Sequence, residues 1–335
     1  MTSHISKLKL FAITTASFFA GALLLNSCKD VVITPQPIKP LYSTLARFSS
    51  MPLFQQDSVI KADSAYLDVM MRFLGMNFVG SDTLPTLHQV VDQWSKSAAV
   101  KLFTPAVDSV FPTLDPYEEM LGLILDNLKS EGFNLPDRHY AAVVWGNKRP
   151  CVVTDSIVFI SLNHFLGKDF PGYSPWPEYM RRNKTPDQLP YTLTETMLNS
   201  DYPYIRTEES TALSRMMYEG AIIYTLVKTI PGATLAKAMG YSEDQLDWLD
   251  KHYKELWDKI ITKDYLYSTS HQVAERLVGP APSTSIISPE FPGRAGTYLG
   301  YRLILEYISN NTKVSLPTLL SPTFYNDPTN LVIAH

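Results

Sequence analysis

The run SRMMYEGAIIY, residues 214–224, decides the fold. Met216, Met217, Ala221, Ile222 and Ile223 leave little polar surface on it. It lies inside a predicted helix from Thr207 to about Thr229 that stops before Pro231-Gly232. A helix apolar on most sides belongs in the middle of a protein. One acid interrupts it. Glu219 has Met216, Ile222 and Ile223 as its i−3, i+3 and i+4 neighbours, where an unpaired carboxylate is costly. Arg215 at i−4 is the obvious partner and Arg294 a distant one, so a structural ion pair is the preferred reading over a general base.

Helices continue on both sides of this run. Ser242-Glu243-Asp244-Gln245 is a capping box opening a predicted helix to about Thr262. Arg294 to Asn310 is the last long helix, behind Pro292-Gly293. Its Gly296 and Gly300 lie one turn apart, a spacing that lets a second helix approach closely; an anion site at its start, beside Arg294, is the less favoured alternative. Upstream, Asp57–Leu74, Pro85–Ser97 and Asp115–Glu131 carry apolar stripes at helical spacing, with Asp115 as the expected cap of the third. Between the two groups the texture changes. His139–Trp145 and Cys151–Ser161 are rich in Val and Ile and read as a small antiparallel β-ribbon, with Asn147 and Asp155 in turns. A loop over 163–190 follows, dense in Pro, Gly and aromatics. The fold class is therefore α+β, mainly α.

The N-terminus reads as a leader. Lys7 and Lys9 precede a largely apolar stretch, Leu10–Leu25, and small residues lead to Cys28. This is a lipoprotein signal over 1–27, with Cys28 acylated. Residues 28–41, with three prolines, read as a tether, and 42–335 as one globular domain. Removal of the first 27 of 335 residues leaves 308, with 27 basic against 33 acidic residues, or −6. Such a balance does not suggest nucleic-acid binding. The 45% hydrophobic content supplies an ample core and excludes a disordered chain. With Cys28 lipidated, Cys151 has no partner for a disulfide and reads as a small buried hydrophobe.

A β-ribbon followed by a long apolar helix is also the order of zinc metallopeptidases of the zincin type, whose helix carries His-Glu-x-x-His. Here Tyr218 and Ile222 stand where the two imidazoles would be, around Glu219. Histidines 88, 139, 164, 252, 271 and 335 include no i, i+4 pair, so no metal and no other cofactor is expected.

The segment Phe159-Ile160-Ser161-Leu162-Asn163-His164-Phe165-Leu166-Gly167 resembles part of the GldB-type gliding-motility lipoproteins. So do Met217-Tyr218-Glu219-Gly220, Gly240-Tyr241-Ser242 through Gln245 and Trp248, Leu266-Tyr267-Ser268, Pro280-Ala281-Pro282, Pro292 to Gly296, and Leu299-Gly300-Tyr301. The ordered set covers roughly 157–320. Asn163 departs from it where an acidic residue is usual, and Ala221 where a lysine is. The resemblance implies a zincin-like scaffold with a decayed motif, in the envelope of Bacteroidetes-type bacteria, associated with gliding motility. The expected protein is a non-enzymatic lipoprotein, held in the outer membrane by Cys28 and facing the periplasm. It would use a surface formed by His164, Tyr173, Trp176, Tyr179 and Arg294 to meet an envelope protein partner. The rival readings are a glycan-binding lipoprotein of a nutrient-uptake system and a residual metal-independent hydrolase.

Overall fold

In chain order the elements are β1 (Ile38–Lys39), α1 (Leu41–Ala46), α2 (Leu53–Leu74), α3 (Leu87–Ser95), α4 (Ala98–Val110), α5 (Asp115–Ser130), β2 (His139–Val143), β3 (Cys151–Val153) and β4 (Ile157–Ser161). They continue with α6 (Glu178–Arg181), α7 (Leu189–Asp201), α8 (Ala212–Thr229), α9 (Leu235–Met239), α10 (Glu243–Lys251), α11 (Tyr253–Thr262), α12 (His271–Val278), α13 (Ala295–Asn310), α14 (Leu316–Leu319) and α15 (Pro322–Tyr325). The computed structural model describes residues 33–74, 86–146 and 149–330. Cys28, the signal segment and Asn147 lie outside these residues. The fold is α+β and mainly helical, with a small four-stranded sheet.

The sheet corrects the antiparallel ribbon. Its order is β1-β2-β4-β3. β1 and β2 pair in parallel, with Ile38 opposite Tyr140, and β2 and β4 pair in parallel, with Ala141 opposite Phe159. Only β3 and β4 run antiparallel. Thr154 makes their turn tight: its backbone N–H donates to the Ile157 carbonyl, and its Oγ1 accepts from the Ile157 N–H at 3.0 Å. The hairpin puts β4 inside and β3 at the edge. β4 is buried along its whole length, and continuous burial of this kind is the habit of parallel strands covered on both faces. The Val/Ile runs disclosed strands but not their direction.

The tether also ends earlier than 41. The Gln36 N–H donates to the Glu118 carbonyl at 2.9 Å and the Ile38 N–H to Glu118 Oε1 at 2.8 Å. Ile38 is buried in the sheet. A two-residue strand between prolines is too short to show periodicity.

Two apolar clusters fill the body. One joins the sheet to the N-terminal helices through Phe48, Leu67, Met70, Trp145 and Phe159. The other surrounds α8 and α13. Helix α7 serves both: Leu193 and Met197 enter the sheet cluster, Tyr191 and Leu198 the helical one. It packs on β3 and on α8, and so lies between them. This helix starts within the expected loop, with Pro190 in its first turn.

Other boundaries differ locally. α8 begins at Ala212 rather than Thr207, because Thr211 and Ser214 form a reciprocal cap: Thr211 Oγ1 accepts from the Ser214 N–H at 3.3 Å, and Ser214 Oγ from the Thr211 N–H at 3.1 Å. Asp115 is the first helical residue and Leu114 the cap. The expected 242–262 helix breaks at His252, whose ring stacks on Trp248 at 4.0 Å and whose Nδ1 meets the Trp248 carbonyl.

Candidate functional site

The segment after β4 folds back on itself around one lysine. Asn163 ties its start to the end of β2: Nδ2 donates to the Trp145 carbonyl at 3.0 Å, and Oδ1 accepts from the Trp145 N–H at 3.2 Å. A carboxylate has no donor for the first of these bonds, which gives the amide at 163 a physical reason. The Tyr173 hydroxyl donates to the Asn163 carbonyl at 2.6 Å and accepts from the Leu166 N–H at 3.1 Å. Lys184 then closes the fold. Its Nζ lies 3.0 Å from His164 Nδ1, 5.0 Å from the centre of the Tyr173 ring and 4.2 Å from that of Trp176.

Lys184 is buried, and among the described residues no ion pair reaches it. Burial lowers its pKa to about 8. The aromatic faces compensate part of the charge. The folded state therefore holds its proton less tightly than the unfolded chain. Below pH 8 the lysine opposes folding, and that cost fades as pH rises from about 8 to the ordinary 10.5. Lys184→Met is expected to stabilise the protein at pH 7 by about 1 kcal/mol, the loss of the contacts with the two aromatic faces limiting the gain. The advantage should vanish by pH 10.5, as read by urea unfolding of both chains across that range.

Three sequence-identified residues, His164, Tyr173 and Trp176, thus meet at a fourth, Lys184, that sequence reasoning missed. A lone lysine between an arginine pair and a loop carries no pattern. The geometry also corrects the expected surface. Tyr173 is 3% exposed, and its hydroxyl, pushed up to about 12 by burial, is committed to backbone. What faces outward is Met180, with Trp176 and Tyr179 half-buried beside it.

Arg294 is corrected too. It is the cap residue of α13, held at φ +67°, and its side chain points into the helical core. Nη2 lies 3.0 Å from Glu195 Oε1 and 4.0 Å from Glu219 Oε2. The first N–H group of α13 is occupied as well: Thr284 Oγ1 accepts from the Ala295 N–H at 3.1 Å and donates to the Pro292 carbonyl at 2.6 Å. That N–H group and the guanidinium are therefore committed within the fold and not offered to an anion.

Glu219 completes this network. Arg215 Nη2 is 2.9 Å from its Oε1, and Arg215 Nε is 3.5 Å from Glu275. Burial pushes the Glu219 carboxyl upward, and Arg215 and Arg294 only partly offset it. Tyr218 and Ile222, in the positions of the two imidazoles, are both core residues. The Tyr218 hydroxyl sits 2.8 Å from both Asn199 Oδ1 and the Tyr202 carbonyl. Among the described residues no group of three or more His, Cys, Asp or Glu side chains is arranged to hold a metal ion. A cavity of about 320 Å³ lies elsewhere, between α5 and β2, and none of the sequence-identified residues lines it.

Residues 43–327 match the family model described as gliding motility protein GldB, a lipoprotein family. The chain belongs to the GldB family. No curated protein and no solved structure matches it.

Most residues that carry the GldB likeness have structural work to do. Gly240 sits at φ +69° with Asn183 against it, Ser242 caps α10, and a Cβ on Gly293 would lie 2.1 Å from the Ala281 carbonyl oxygen. Gly220 and Gly300 bring α8 and α13 into backbone contact. Cys151, by contrast, is a buried free thiol pushed up to about 12. Among the described residues, no helix is long and apolar enough to cross a membrane.

Proposed function

We propose that this GldB-family lipoprotein is a non-catalytic envelope scaffold, attached to the outer membrane through an acylated Cys28 on the periplasmic side, where it serves a gliding-type assembly. The observation that carries the non-catalytic part is the state of Glu219. A general base needs a path to substrate and a free lone pair. This carboxylate is buried, bonded to Arg215 and backed by Arg294. On this reading the helix descends from a zincin-like ancestor whose metal-binding positions became Tyr218 and Ile222, and the acid persists as a packing element.

The working surface is the outward rim of the 163–190 segment: Trp176, Tyr179 and Met180. Aromatic side chains beside a flexible methionine suit a protein partner. The Lys184 cluster beneath gives that rim a rigid floor. A photo-crosslinker at position 179 should capture one envelope protein in stoichiometric yield, and Trp176→Ala should cut that yield at least several-fold. Retention of the protein on polysaccharide, lost with Trp176→Ala, would replace this reading with a glycan-binding one.

Attachment is tested separately. Cys28→Ser should move the chain from the membrane fraction to the soluble fraction, because acylation supplies the main affinity for lipid.

A further inference from the structure

Exposed apolar side chains are ordinary when scattered. Leu102, Ile205, Ile261, Tyr267 and Leu305 are of that kind, and Met180 belongs to the rim already described. Leu53 and Phe54 are different. They are adjacent, 71% and 69% exposed, and preceded by the exposed Pro52. They form the first residues of α2, the longest helix described. Two large hydrophobes projecting together from a helix end cost about 1 kcal/mol or more each in water relative to burial, and no described residue covers them.

The length of the attachment says what does. Among the described residues the first backbone hydrogen bond is that of Gln36, eight peptide steps from Cys28 with seven residues between. At roughly 3.1–3.6 Å per residue they span at most about 29 Å. A folded body of this size is roughly 50 Å across. A body held on a leash shorter than its own width cannot turn its entry side away from the surface. Phe54 follows Ile38 by sixteen residues, nine of them wound into α1 and the 3-10 turn Phe48–Ser50, so the tip stays within about 40 Å of the entry point. Beside it, Arg47 and Lys61 are exposed and can reach phosphate headgroups, with Asp57 the opposing charge.

We propose that the Pro52–Leu53–Phe54 tip inserts into the interfacial layer of the same bilayer that holds the lipid anchor, giving the scaffold a second membrane contact and a fixed orientation. This rests on the lipid-anchored reading. An acyl anchor alone leaves the body free to reorient about its tether, and a second apolar contact orients it.

The test uses a single introduced thiol. Cys28 is consumed by acylation and Cys151 is buried, so Phe54→Cys in the lipidated full-length protein takes an environment-sensitive fluorophore at one place. The labelled protein is placed in phosphatidylethanolamine–phosphatidylglycerol vesicles with and without a spin-labelled lipid. Tyr267→Cys, also an exposed position, is the control. The expected result is blue-shifted emission at 54, quenched about twofold or more by the spin-labelled lipid, with neither effect at 267. Solvent-like emission at 54 in vesicle-bound protein would overturn the proposal. So would a blue shift without lipid quenching, which assigns the tip to another protein or a second copy. Failure of the anchor itself is distinguishable, because the protein would then not float with the vesicles.

Discussion

Gly300→Ala is expected to destabilise the protein by about 3 kcal/mol, and Gly300→Leu to leave almost no folded chain. The added Cβ at 300 would sit 1.8 Å from the Met216 carbonyl oxygen and 2.5 Å from its carbon. Both are backbone atoms of α8, which cannot swing aside as a side chain can. Two effects oppose each other. Alanine is favoured over glycine in a helix by about 1 kcal/mol. Overpacking a dense core usually costs about 1–3 kcal/mol, and more where the obstacle is rigid. Gly220 faces the same contact from the other side, its own added Cβ lying 2.2 Å from the Gly300 carbonyl carbon, so separating the helices would open the interface along its length. The clash wins. Gly146→Ala is the matched control: its Cβ would meet only the Ala99 methyl at 3.6 Å, an ordinary contact. Urea unfolding of the detergent-solubilised protein, followed by circular dichroism, should show a large fall in midpoint for Gly300→Ala and almost none for Gly146→Ala.

Arg294→Met should cost about 3–5 kcal/mol at neutral pH. Removing one member of a buried ionic group strands the others, and here two carboxylates, Glu195 and Glu219, face the vacated guanidinium. The loss should depend on pH, with a definite sign. Burial already raises the Glu219 pKa, and loss of Arg294 removes one of the two charges holding it down. An acid raised in the folded state binds its proton more tightly there than in the unfolded chain. Its stabilising contribution is complete below the ordinary carboxylate value of about 4.5 and is lost as pH rises through the raised folded value. Arg294→Met should therefore lie closest to the native protein in mild acid and fall away from it toward neutrality. Adding Glu219→Gln should recover part of the loss at pH 7 and flatten that dependence. A variant equally unstable at every pH would show that Arg294 matters through its cap geometry at φ +67° and not through its charge.

The helical part of this fold was legible because its signals are local. The apolar run around Glu219, the Ser242 capping box and the glycine pair 296/300 each report the chain's own helix, and helices start near where those signals placed them, although the one opened by Ser242 breaks at His252. The Arg215–Glu219 pairing is local as well, one helical turn apart. What sequence could not give were relations across the chain. The direction of β2 against β4 depends on where β3 folds, and a period-2 pattern is the same for either direction. β1 is two residues long and is held by relations far along the chain, pairing with β2 about a hundred residues on and donating to Glu118 eighty residues on. The Lys184 cluster escaped for the same reason. Tyr173 and Trp176 looked like surface aromatics in a Pro- and Gly-rich stretch, while the lysine they enclose lies eight or more residues on, with no repeating pattern to link them. Arg294 misled in part: in sequence it reads as one of the partner-surface residues, but its side chain turns inward to two acids, one of them Glu219, the distant pairing that the sequence suggested.

The scaffold reading stands on Glu219 being a structural acid. The most direct measurement is peptide hydrolysis by the purified full-length protein, supplied with zinc and compared with Glu219→Gln at matched melting temperature. The account predicts that the two proteins are indistinguishable and that neither turns over a peptide library. Turnover by the native chain that Glu219→Gln abolishes, with folding intact, would contradict it.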